Sequence, residues 1–166
     1  MVGFLQYVKA NLNSGKLLVI NSDEWNTNDY LNVVDGQFLE GYEHASWISV
    51  TTVETDRPSV SSLVKKCSSG KIVWVCPGAT VTGATQAQID AMVKYCYASF
   101  LMGMSGSKAY FQWQQRNYPS WYSIMDTDVG QPVGTYTQSG NVLTREFTNC
   151  TVTIDLNAHT GEITMK

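Results

Sequence analysis

Histidine is scarce in this chain: two in 166 residues, His44 and His159. A His-based catalytic triad or a multi-His metal centre has too little material. Charge is also thin, at 15% of residues, and the net charge of −3 comes with no basic block. Nucleic acid is not an expected partner, because clustered Lys and Arg carry most of that affinity. No apolar run reaches membrane-spanning length. The opening MVGFLQYVKANLNSG lacks the basic start and long apolar run of a signal peptide. There is neither a GxGxxG nor a phosphate loop: GATVTGAT (78–85) has no Lys and reads as a βα loop. No cofactor is therefore expected. The cysteines Cys67, Cys76, Cys96 and Cys150 show no CxxC spacing. A zinc site is not expected, and buried reduced thiols are.

What is present suits one domain with a substantial core: 43% hydrophobic residues over 166. Five Trp and nine Tyr stand beside five Phe. Trp and Tyr offer flat apolar faces with a polar handle, which suits sugar rings as well as ordinary packing.

Apolar periodicity places a helix at 2–13, with Phe4, Leu5, Val8 and Leu12 on one face and Gly15 as the stop. KLLVINS (16–22) reads as a buried parallel strand, and Gly36 to Glu40 as the next. Asp56-Arg57-Pro58 opens a helix whose stripe is Val60, Leu63, Val64 and Cys67. KIVWVCPG (71–78) is a third strand. Thr85-Gln86-Ala87-Gln88 has the form of a capping box, opening a helix lined by Ile89, Met92, Val93, Cys96, Phe100, Leu101 and Met104. KAYFQWQ (108–114) is a fourth strand. Helices alternating with short apolar strands indicate parallel β/α architecture. After residue 115 the pattern changes. A loop-like stretch leads to three candidate antiparallel strands, Val142 to Phe147, Thr151 to Leu156 and Glu162 to Met165. The division expected is 1–130 for the β/α part and 131–166 for a β extension.

In parallel β/α proteins, reactive groups gather beyond the C-terminal ends of strands. Glu40 ends the strand in VVDGQFLEGYEHASW (33–47) and shares a face with Phe38 and Gly36. It is the candidate general acid, held partly out of water beside aromatic faces. Asn21, Trp25, Tyr42, Trp47, Trp113 and Trp121 are the candidate substrate-binding residues around it. Glycoside hydrolysis normally needs a second carboxylate. Glu24, Glu43, Asp126 and Asp128 are the candidates.

DGQFLEGYEHASW resembles the "DG, apolar residues, E, aromatic" segment of the hypothetical glycosyl hydrolase 15-like group, whose fold is a TIM barrel. LLVINS resembles the preceding strand of that group, ending in Asn. KYCYASFLMGMSGSKAYFQW resembles its last helix and strand. DTDVGQPVGTYTQSGNVLTREFTNCTVTIDLN resembles its closing segment. Cys150 departs from the usual Gly, and Gln37 stands where that group has an apolar residue. The resemblance implies half of a (β/α)8 barrel, strands five to eight, with Glu40 as the proton donor ending strand six. It also implies an extracellular or cell-surface setting, although no export signal is seen in this chain.

A full barrel has eight βα units, and this chain has four. A half barrel leaves two strand edges and its inner face uncovered. A second copy, a partner chain carrying the other half, or the C-terminal strands folding back could cover them. Two functions follow: a glycoside hydrolase acting on carbohydrate and complete on assembly, or a non-catalytic carbohydrate-binding or self-assembling descendant.

Overall fold

The computed structural model describes residues 1–21, 30–40, 42, 53–77, 84–115 and 118–166, with 53–59, 115 and 118–119 as backbone alone. Among them, short apolar β-branched runs pair into a parallel sheet of four strands: β1 (Val19–Asn21), β2 (Gly36–Glu40), β3 (Ile72–Cys76) and β4 (Ala109–Phe111). Their spatial order is their chain order, and every pairing is parallel. Helix α1 (Val2–Ala10) precedes β1, α2 (Val53–Ser68) joins β2 to β3, and α3 (Gln86–Gly103) joins β3 to β4. Parallel neighbours need such crossovers, because a tight turn cannot reverse the chain twice.

The capping box forms as the sequence indicates. Thr85 Oγ1 accepts from Gln88 N at 3.3 Å, and Gln88 Oε1 accepts from Thr85 N at 2.8 Å. The expected stripe of α3 is buried from Ile89 to Leu101, while Met104 is the partly buried C-cap. From Tyr95 onward the helix is buried on every side. That burial has a structural cause: α3 lies between two sheets. Phe111 of β4 packs on Tyr97 and Phe100 at ring separations of 5.3 and 5.6 Å. On the other side an antiparallel meander supplies Leu143, Val152 and Ile154 to the same core. Its strands are β7 (Thr137–Ser139), β8 (Val142–Glu146), β9 (Cys150–Asp155) and β10 (Thr160–Met165), in the order β10-β9-β8-β7. Buried and half-buried positions alternate along β9, the period-2 signature of a sheet with one face on a core.

Two contacts fasten the meander to α3. Arg145, buried on β8, sends its Nη1 to the carbonyls of Leu101 (2.8 Å), Met102 (3.0 Å) and Met104 (2.7 Å), and its Nε to Gly134 O (2.9 Å). A cation there satisfies orphan carbonyls and complements the negative end of the helix dipole. Gly161 on β10 permits close approach: a Cβ at that position would sit 2.8 Å from Ala98 Cβ and 3.1 Å from Lys94 O.

Several expectations need correction. Helix α1 ends at Ala10 rather than 13, and of its expected apolar face only Leu5 is fully buried, with Phe4 exposed. Strand β1 is shorter than 16–22. Helix α2 begins at Val53, so Asp56 lies inside it rather than capping it. The single strand 108–114 is two: β4 in the parallel sheet, and β5 (Trp113–Gln115), which turns out to pair antiparallel with β6 (Tyr118–Ser120). The tail holds four strands rather than three, because Thr137–Ser139 pairs with β8 despite lacking any apolar residue.

The departure at Gln37 has a partner. On the helix side of β2, Gln37 Oε1 accepts from Lys66 Nζ of α2 at 2.7 Å, and both residues are almost wholly buried. Burial drives the lysine pKa below its usual value. Gln37 Nε2 is left without a hydrogen-bond partner. Cys150, the other departure, is a buried free thiol, as are Cys67, Cys76 and Cys96.

Candidate active site

The parallel sheet carries its helix-facing side chains at Gln37, Leu39, Val73 and Val75, all buried. The register aligns Phe38 with Trp74, and Trp74 with Tyr110, so these three share the opposite, open face. Phe38 and Trp74 meet edge to face at 4.9 Å. Polar groups gather at the C-terminal ends of the strands, Asn21 level with Phe38 and the pair Glu40 and Cys76 two residues further along. Asn21 ends β1, Glu40 ends β2 and Cys76 ends β3, with Gln114 just beyond β4.

These groups are joined in pairs. Asn21 Nδ2 donates to Glu40 Oε2 at 2.8 Å. Glu40 is the register partner of Cys76. The Cys76 thiol faces Gln114 Oε1 at 3.6 Å, a weak contact for a weak donor. Burial, and then the negative charge of Glu40, push the Cys76 thiol up to about 11. Cys76 is therefore a neutral thiol near pH 7 and no nucleophile. Glu40 itself is exposed, not held partly out of water as the strand position led one to expect. Its orientation comes from Asn21 rather than from enclosure.

The remaining candidates are distributed as follows. Tyr42 is buried, and its hydroxyl shares a 3.0 Å hydrogen bond with Ser99 Oγ of α3, so it belongs to the helix side of the sheet. Trp113 is fully buried, packed edge-on to Tyr122 at 6.4 Å, and its Nε1 has no hydrogen-bond partner. Trp121 is 69% exposed and donates from Nε1 to Asp126 Oδ2 at 3.0 Å. Asp128 Oδ1 accepts from Gly130 N at 3.2 Å and serves the turn before the meander. Glu24, Trp25, Glu43, His44 and Trp47 lie outside the described residues. The structure thus brings Asn21 to Glu40, and leaves Asp126 and Asp128 engaged within their own segment.

Beside the rim, on the open face, lies a cavity of about 700 Å³ lined chiefly by Trp74, Tyr110, Trp113, Trp121, Ile72 and Met125. Glu40 is not part of its lining. Sequence reasoning missed Trp74 and Tyr110 because both sit in apolar runs that read as buried strands. The available signal was alternation: Trp74 is two residues before Cys76, hence on the same face as the rim. Among the described residues no cluster of three or more His, Cys, Asp or Glu could hold a metal ion.

The chain is a mixed α/β protein, with a parallel and an antiparallel sheet and a carboxylate at the C-terminal rim of the parallel one. The family model described as hypothetical glycosyl hydrolase family 15 matches residues 1–151. The chain belongs to that family. No curated protein matches it.

Proposed function

We propose that this chain acts on or binds a carbohydrate as a glycoside-hydrolase-like half barrel, with Glu40 as its general acid/base. One observation carries the reading: Glu40 stands on the open face at the end of β2, with a carboxylate oxygen held at 2.8 Å by Asn21 of the neighbouring strand end. Four parallel strands in chain order are the arrangement that half of a (β/α)8 barrel would have. Strands β1 and β4 stand at its two edges. Another copy or a partner half adding strands there would close the barrel and bring up a second carboxylate. Retaining enzymes need that group at about 5–5.5 Å and inverting ones at roughly 6.5–9.5 Å. Within the chain, Glu24, Glu43, Asp126 and Asp128 are the candidates for it.

The decisive variant is Glu40→Gln, which keeps the hydrogen-bonding shape of the side chain and removes its proton chemistry. Turnover of a glycan or aryl glycoside should fall by roughly 10²–10⁴, with unchanged circular dichroism. Full turnover in the variant would refute the assignment. Light scattering tests the assembly, with an even-numbered complex as the expected result.

A second reading is binding without hydrolysis. The engagement of Asp126 by Trp121, and of Asp128 by Gly130, favours it. Saturable binding of a glycan by both the wild type and Glu40→Gln, with no cleavage in either, would select it.

A further inference from the structure

The cavity on the open face has no role in the reading above. One side of it is the sheet, through Ile72, Trp74 and Tyr110. The other side is the chain's own segment after β4, through Ser120, Trp121 and Met125. Its volume of about 700 Å³ falls in the range of small-molecule sites, roughly 300–1,000 Å³. Among the described residues no Asp, Glu, His, Lys or Arg lines it, which suits an uncharged ligand. Its polar groups are few and neutral: an amide, a hydroxyl and the handles of the aromatic rings.

The rings are positioned by contacts independent of any ligand. Trp121 is tied through Nε1 to Asp126, and Trp74 is braced edge-on by Phe38. Tyr110 remains 51% exposed between them and the solvent. Fixed aromatic faces lower the ordering cost of taking up a flat apolar group. The cavity spans the sheet from Val19 and Ile72 at the strand starts to Trp74 and Gln112. Trp74 lies two residues before Cys76, the register partner of Glu40, a step of roughly 7 Å along a strand.

We propose that this cavity is an aglycone site. It takes an uncharged apolar ring attached to the sugar that is presented to Glu40. The sugar half of this statement rests on the glycoside-hydrolase reading, whereas ring binding itself needs no hydrolysis.

The test is calorimetric titration of the full chain with benzyl alcohol, and with the phenyl and methyl forms of one neutral glycoside. Benzyl alcohol should bind saturably at one site, and the phenyl glycoside more tightly than the methyl one. Trp74→Ala and Trp121→Ala should each weaken benzyl alcohol binding by roughly tenfold. Tyr110→Phe keeps the ring and should bind as the wild type does. Glu40→Gln should also bind benzyl alcohol unchanged. Circular dichroism checks each variant, and the surface position of Trp121 keeps the test readable if Trp74→Ala fails to fold. No saturable binding of benzyl alcohol, or wild-type affinity in both Trp variants, would overturn the proposal. So would neutral disaccharides binding while benzyl alcohol does not, because the site would then take a sugar ring. A protein mass that doubles with concentration while probe binding disappears would make the face an interface between copies, and would also overturn it. Ring binding without cleavage of any glycoside would leave this site standing and remove the hydrolase reading instead.

Discussion

Replacing Arg145 tests how the antiparallel meander is held to α3. Arg145 is 6% exposed, and its guanidinium meets four backbone carbonyls, three of them at the C-terminal end of one helix. It also lies over the Phe147 ring at 5.3 Å. Arg145→Met preserves much of the volume and stem packing but strands those carbonyls. A hydrogen bond to a charged group contributes about 1.5–3 kcal/mol, and such bonds do not add when they share one donor. Each buried carbonyl left without a donor costs about 1–3 kcal/mol, and with partial compensation the total comes to about 3–5 kcal/mol. For a chain of 166 residues this lowers Tm by about 8–14 °C. Urea unfolding followed by circular dichroism reads the loss directly. Arg145→Lys should recover only part of it, since one ammonium cannot reach both Gly134 and the helix end. A loss below about 1 kcal/mol in Arg145→Met would show that water satisfies the carbonyls and that the reasoning is wrong.

Lys66 gives a pH signature. Its folded pKa lies below the usual 10.5 because of burial, so the unfolded chain holds the proton over the window between the two values. Stability must then rise with pH across that window. The double variant Gln37→Leu/Lys66→Met should lose this alkaline gain and match or exceed wild-type stability near pH 7 by chemical denaturation. An unchanged pH slope would contradict the assignment. Gly161→Ala should cost about 1–3 kcal/mol in urea unfolding, because the added methyl meets Ala98 and the backbone of α3. A neutral result there would mean that β10 can shift outward without loss.

The alternation of helix and strand was legible because each βα unit carries its own local signal. The Thr85 capping box and the Gly36 to Glu40 strand needed no tertiary knowledge. The burial of Tyr42 was not legible, since it depends on Ser99, 57 positions away. The pairing of Lys66 with Gln37 likewise joins two elements 29 positions apart. Trp74 and Tyr110 read as core because a strand shows which residues share a face but not whether that face is covered. Strand β7 was invisible for the opposite reason: Thr137–Ser139 is wholly exposed and carries no apolar residue to signal a strand.

The antiparallel meander has a practical consequence for anyone shortening the chain. The family match stops at residue 151, two residues into β9. A cut there would remove Val152, Ile154 and Leu156 from the shared core and delete β10, whose Gly161 packs on Ala98. It would also leave Cys150 at a bare end. The family boundary is thus not a folding boundary. A truncated product should expose the flank of α3 and aggregate, whereas the portion outside the family match is what keeps that helix dry.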